Sequence, residues 1–185
     1  MIQTIHIGRL LRETVASPYR NLVTRPTGAA IRNRIQEALA NSDCLTALLD
    51  FSGVELLDFS CADEVVAKLL LDDEERGGRF VVLQGLREDQ HEAIEHVLTH
   101  HRLAVAALRP AHELSAPEEP TVLGWVTPDA RAAFACVCTR GVQTAEDLAC
   151  ALDWALARGA AALGELTLHR LVRADHDRYY PLLIA

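Results

Sequence analysis

The stretch Leu45 to Leu71, LTALLDFSGVELLDFSCADEVVAKLLL, passes from an apolar strand to an amphipathic helix through one short loop. Leu45 to Phe51 is apolar, Ser52-Gly53 supplies turn chemistry, and Val54 to Leu57 is apolar again before Asp58-Phe59-Ser60. Ser60 stands three residues before Asp63, a capping-box variant with Asp in place of the usual Glu. Ala62, Val65, Val66, Leu69 and Leu70 then form one helical apolar stripe, so the spacing predicts a helix from Ser60 to about Glu75. The Ser60 hydroxyl has two readings. As an N-cap it satisfies an orphan N–H and contributes about 1 kcal/mol. As a phosphate acceptor it sits at a helix N-terminus that favours added negative charge, while Asp58, Asp63 and Glu64 would repel that charge. Asp63 and Glu64 also read as ordinary favourable first-turn acids.

Outward from this stretch, Ile2 to Leu11 alternates as a strand and Tyr19 to Val23 reads as a weaker one, with Ser17-Pro18 between them. Thr27 or a neighbour is expected to cap a helix over Ala29 to Ala40, with Ile31, Ile35, Ala38 and Leu39 inward. On the other side, Gly77-Gly78 breaks the chain before a strand from Arg79 to Leu83. A helix from about Glu88 to His101 and a strand from Leu103 to Leu108 follow. Apolar runs alternating with helices predict an α/β layer, a mixed sheet with packed helices.

The segment 109–120, RPAHELSAPEEP, holds three of the seven prolines and an acidic run without periodicity, which reads as a linker between a unit over 1–108 and another over 121–185. Helix punctuation is strong beyond it. Thr127 precedes Pro128 at a first helical position, Gly141 follows Arg140, and Thr144 pairs with Asp147 in a capping box. Leu148, Ala149 and Leu152 mark one core face; Ala162, Leu163, Leu166 and Leu171 mark the next. Val172-Arg173, the His176-Asp177 turn and Tyr179 to Leu183 read as a two-stranded ribbon.

On the residues LLDFSGVELLDFSCADE the first unit resembles the STAS family, the domain of anti-anti-sigma factors and sulfate-transporter tails, and more closely a STAS-like group with an acidic pair after the loop. Typical members carry Asp-Ser-Ser-Gly in the loop, with the second serine phosphorylated by an ATPase-type kinase. That serine falls on Ser60 and the aspartate on Asp58, while Phe59 and Cys61 replace the first serine and the glycine. The resemblance implies a bacterial regulatory domain that meets a protein partner, a kinase or a sensor, through Asp58, Ser60, Asp63 and Glu64. On TAEDLACAL, ALARGAAALGELTLHRLV and RADHDRYYPLL the second unit resembles the winged helix-turn-helix family, an α+β domain whose second helix enters the DNA major groove in many relatives. The matching helix offers Ala155, Leu156, Ala157, Arg158, Gly159, Ala160 and Ala161, so Arg158 is its one strong donor; Arg173 and Arg178 on the ribbon flank Asp175 and Asp177. Such a helix suits protein contact or a homodimer better than base reading, and a DNA-binding transcription regulator stands as the alternative function.

Charge points the same way. The net charge is −8, Lys68 is the only lysine, and neither half is basic: residues 1–115 carry 12 Arg plus Lys against 17 acids, and residues 116–185 carry 6 against 9. A negative field repels a phosphate backbone. No apolar run approaches the roughly 20 residues of a membrane helix, and MIQTIHIGRLLRE lacks the order of a signal peptide, so a cytoplasmic protein is expected. Cys44, Cys61, Cys136, Cys138 and Cys150 are an odd set without Cys-x-x-Cys spacing, which argues against a disulfide framework or zinc ribbon. His91 and His96 are five apart around Glu92 and Glu95 and do not make a zinc-protease motif; Glu92, His96 and His100 share a helix face at spacing four, a common pattern for an exposed stripe. No phosphate loop and no nucleophile turn is present. The expectation is a non-enzymatic regulator without metal or cofactor.

Overall fold

The computed structural model describes residues 2–15, 19–75, 78–109 and 119–183. Strand β1 (Ile2–His6) leads directly into helix α1 (Ile7–Val15). The strand expected over Ile2 to Leu11 is therefore half strand and half helix, because from Ile7 onward the buried residues Ile7, Leu10 and Leu11 have the i, i+3, i+4 spacing of a helix. The expected break at Ser17-Pro18 lies outside the described residues. Then come β2 (Asn21–Leu22), α2 (Arg25–Ala40), β3 (Thr46–Asp50) and β4 (Leu56–Leu57). Helix α2 starts earlier than the sequence suggests, with Thr24 at its N-cap and Pro26 in its first turn, where a missing N–H costs nothing.

The central helix runs in three pieces: α3 (Phe59–Ala62), a π turn (Asp63–Ala67) and α4 (Lys68–Glu75). Gly77 of the expected break lies outside the described residues. Strand β5 (Phe80–Gln84), α5 (Glu88–His101), β6 (Ala104–Arg109) and β7 (Glu119–Gly124) follow, and then α6 (Pro128–Arg140), α7 (Ala145–Leu152), α8 (Leu156–Leu168), β8 (Val172–Asp175) and β9 (Arg178–Pro181).

The protein is α/β, built on a five-stranded mixed sheet of order β1-β3-β5-β6-β7. The first four strands are parallel and β7 runs antiparallel to β6 in the register Ala104↔Gly124 to Arg109↔Glu119. Strands buried on both faces read as continuous apolar runs, as FVVL and AVAAL do. On one face Ile5, Ala47, Leu49, Val81, Leu83, Val105 and Ala107 join one core with α1, α2, the central helix and α5. On the other, Val82, Ala104, Ala106 and Val122 join a second core with Phe134 and Val137 of α6, Leu148 of α7 and Leu163 and Leu166 of α8.

This second core corrects the division at 109–120. Arg109 ends β6, Glu119 and Pro120 begin β7, and the boundary at Thr121 falls inside a paired strand; residues 110–118 lie outside the described residues. Proline is tolerated in β7 because it is an edge strand of the sheet. Polar links reinforce the join. Arg131 of α6 donates through Nη1 to the Val122 carbonyl at 2.6 Å and through Nη2 to the Gly124 carbonyl at 3.1 Å, and Glu95 of α5 accepts from Gly124 N at 2.6 Å. Gly124 has φ +95°, and a Cβ there would meet the Leu103 carbonyl oxygen at 2.2 Å. The capping predicted for the later helices holds: Thr127 accepts from Ala130 N, and Thr144 and Asp147 form the reciprocal box.

A chain ending at residue 108 is therefore expected to expose Val82, Ala104 and Ala106 and to lose the cooperative denaturant transition of the full protein. In the full chain, Phe134→Ala should lower unfolding free energy by about 3 kcal/mol or more while keeping a single transition, measured by urea titration with circular dichroism.

Candidate functional site

Helices α2 and α3 begin side by side, and Asp58 serves both starts. Its Oδ1 accepts from Cys61 N at 2.7 Å and its Oδ2 from Thr24 N at 3.3 Å. Asp58 rather than Ser60 is thus the N-cap of α3, and the box expected between Ser60 and Asp63 does not form. Ser60 lies one turn position inside the helix, half-buried, and no protein group among the described residues hydrogen bonds its hydroxyl.

The two acids lie in the π turn and are not the exposed first-turn acids that the sequence suggests: Glu64 is only 3% exposed. Insertions of this kind recur at functional sites. Glu64 Oε1 accepts from Arg25 Nη1 at 2.9 Å and from Lys68 Nζ, and Oε2 accepts from Arg32 Nη1 at 2.6 Å. Asp63 Oδ2 accepts from the same Arg25 nitrogen at 2.9 Å, and its Oδ1 lies 2.7 Å from His101 Nε2 on α5. Asp72 extends the network to Gln36 at 2.8 Å. Burial alone would push the Glu64 carboxyl upward, but the hydrogen bonds from Lys68 and Arg25 outweigh it and hold the group below its ordinary 4.5. Asp63 is lowered likewise, with Arg25 and His101 overcoming desolvation.

Arg25, Arg32 and His101 are the residues that the sequence reading missed. A signal was present: Arg25, Gly28 and Arg32 stand at i, i+3 and i+7 on one face of α2. Gly28 lets that face reach the central helix, because a Cβ there would lie 2.9 Å from Glu64 Cβ and 3.1 Å from Cys61 Cα.

Beside the network opens a cleft of about 430 Å³ between the start of α2, α3 and α5, with Arg25, Phe59, Ser60, Asp63, His96 and His100 among its walls. Phe59 is 57% exposed and meets His96 edge-on at 5.2 Å; Leu56, just before the loop, is 49% exposed. Of the four residues expected to meet a partner, Ser60 and Asp63 line this cleft, Asp58 is committed to capping, and Glu64 is buried beneath it.

Cys61 is buried, donates to the Thr24 carbonyl at 3.0 Å, and its thiol is pushed up to about 12 by burial and by Asp58, so the helix start does not activate it. Burial likewise pushes Cys138 up to about 12. Glu92, His96 and His100 share a shallow depression on α5, and no group of three His, Cys, Asp or Glu side chains among the described residues is placed to hold a metal ion. Arg158 is bound to Asp129 through Nε and Nη2, both at 2.7 Å, and lies over the Trp154 ring at 4.3 Å. Arg173 lies over Tyr180, and Arg178 opposes Asp175 across the ribbon. No helix among the described residues is long and apolar enough to cross a membrane. Comparison with family models, curated proteins and solved structures gave no match.

Breaking the Glu64 network should be costly, since removing one member strands buried charge. Glu64→Gln is expected to lose about 3 kcal/mol or more of stability at pH 7. A lowered carboxyl contributes stability that is full above its unfolded value, near 4.5, and that disappears as pH falls through the folded value. The gap between wild type and Glu64→Gln in urea titrations should therefore narrow from pH 7 to pH 3.

Proposed function

We propose that the protein is a non-enzymatic bacterial regulator that works by binding another protein through the surface around Leu56, Phe59 and Ser60. The observation that carries this reading is the pairing of two exposed apolar side chains with a serine hydroxyl that caps nothing and bonds no protein group among the described residues. Exposed large apolar groups beside a cleft suit partner contact. The strand, loop and helix over 45–71 on a mixed sheet support a STAS-like unit, and the resemblance makes an ATPase-type kinase or a sensor the partner. A phosphate on Ser60 would arrive beside Asp58 and Asp63 in the first turn of α3, so added charge alters docking rather than folding.

The later helices support a winged-helix reading: α6, an isolated bridge between Gln143 and Tyr179, α7, α8 and the β8-β9 ribbon follow in that order. This unit serves protein contact rather than DNA reading, because Arg158 is already bidentate to Asp129 and stacked on Trp154. Helix α8 instead exposes Leu156 and Leu168 at its two ends, which favours a homodimer through this unit. The setting is cytoplasmic.

Capture from native lysate with the full chain as bait, with nucleic acid digested or intact, should return a protein companion in both cases. Ser60→Asp and Phe59→Ala should each weaken its binding by about tenfold or more, a change of about 1.4 kcal/mol, while Ser60→Ala preserves most of it. Equal binding by all three variants would remove the switch. Sedimentation of the full chain should show dimers that Leu168→Glu dissociates, and selection from random-sequence DNA should enrich no motif; a motif lost on Arg158→Ala would restore the transcription-regulator reading.

A further inference from the structure

We propose that the cleft between α2, α3 and α5 recognises a carboxylate side chain of a partner peptide, set next to an apolar residue that packs on Phe59. This rests on the protein-binding reading above and names the chemistry of the partner. It follows from counting donors and acceptors at the cleft. Both oxygens of Asp63 are occupied, one by Arg25 and one by His101, and both oxygens of Glu64 are occupied by Arg25, Lys68 and Arg32. Each of these four oxygens thus already carries a donor. Arg25, by contrast, makes both of its bonds through Nη1, leaving Nη2 and Nε without a protein partner among the described residues, and its side chain is 55% exposed. The Ser60 hydroxyl on the same wall is a second unspent donor. An Arg fork edge beside a hydroxyl matches a planar carboxylate, which can accept both N–H groups in parallel.

Cations are a poor fit, since the acids that would hold one are already paired with Arg25, Arg32 and Lys68. A loose anion would have little to hold it beyond Arg25. The exposed Phe59 ring, edge-on to His96, with Val97 nearby, adds the apolar contact that a peptide can use and a small anion cannot.

The test is selection of a phage-displayed random dodecapeptide library on the immobilised full chain, followed by affinity measurement of synthetic peptides from the enriched pool. The expected pool carries Asp or Glu adjacent to a Leu, Ile, Phe or Met. Its peptides should bind Arg25→Gln at least tenfold more weakly, bind Arg25→Lys at intermediate strength, and lose binding to Phe59→Ala. Thermal unfolding of each variant reports folding, and the peptides' own Glu→Gln and Asp→Asn versions test the carboxylate on an unaltered protein. Peptides that need Phe59 but are indifferent to Arg25 and to their own carboxylate would overturn the anion assignment while leaving the docking surface in place. A pool without any Phe59-dependent peptide would overturn both.

Discussion

Strands β5 and β6 are apolar on both faces, and the architecture follows from the need to cover both. One face is closed by the helices that follow the parallel strands, as the β-α alternation requires. The other is closed by α6, α7 and α8, which follow β7 after the chain reverses direction at the sheet edge. Packing this face removes Val82, Val122, Phe134 and Val137 from water, each worth about 1.5–3 kcal/mol. Two regions that differ in composition thereby share one sheet and one core.

The candidate site depends on a second constraint, the burial of Glu64. A carboxylate at that depth is stable only when its charge is matched, and three cations from α2 and α4 match it. The same requirement fixes where Arg25 sits. Arg25 shares Nη1 between Asp63 and Glu64, lines the cleft, and keeps Nη2 and Nε without a protein partner among the described residues. Structural electrostatics and the proposed recognition chemistry are therefore linked through one side chain, with Gly28 allowing the helix approach that makes the link possible.

The loop shows how a capping role and an exposed hydroxyl become separated. A serine before an amphipathic helix is a good cap by composition, yet Asp58 reaches both Cys61 N and Thr24 N and takes that role for two helices at once. Ser60 moves into the first turn and Phe59 is left at the surface. The C-terminal arginines went the other way: Arg158 is a donor by composition, and folding spends it on Asp129 and Trp154.

Local signals in the chain determined most elements by themselves. The helix over Glu88–His101, the boundaries at Thr127-Pro128 and Thr144, the inward residues Leu148 and Ala149 of α7 and Ala162, Leu163 and Leu166 of α8, and the β8-β9 ribbon all follow from caps and periodicity, which act over a few residues. The strand and helix on either side of Asp58 were legible for the same reason. Tertiary structure alone decided that β7 joins the first sheet, that the central helix carries a π turn, and that Arg25, Arg32 and His101 gather around Asp63 and Glu64. The gathering around Asp63 and Glu64 rests on contacts between residues more than 30 positions apart, such as Arg32 with Glu64 and His101 with Asp63, and β7 joins the sheet by pairing with β6 across 10 to 20 positions. Their energies come from shared burial and charge pairing, which no window along the chain contains.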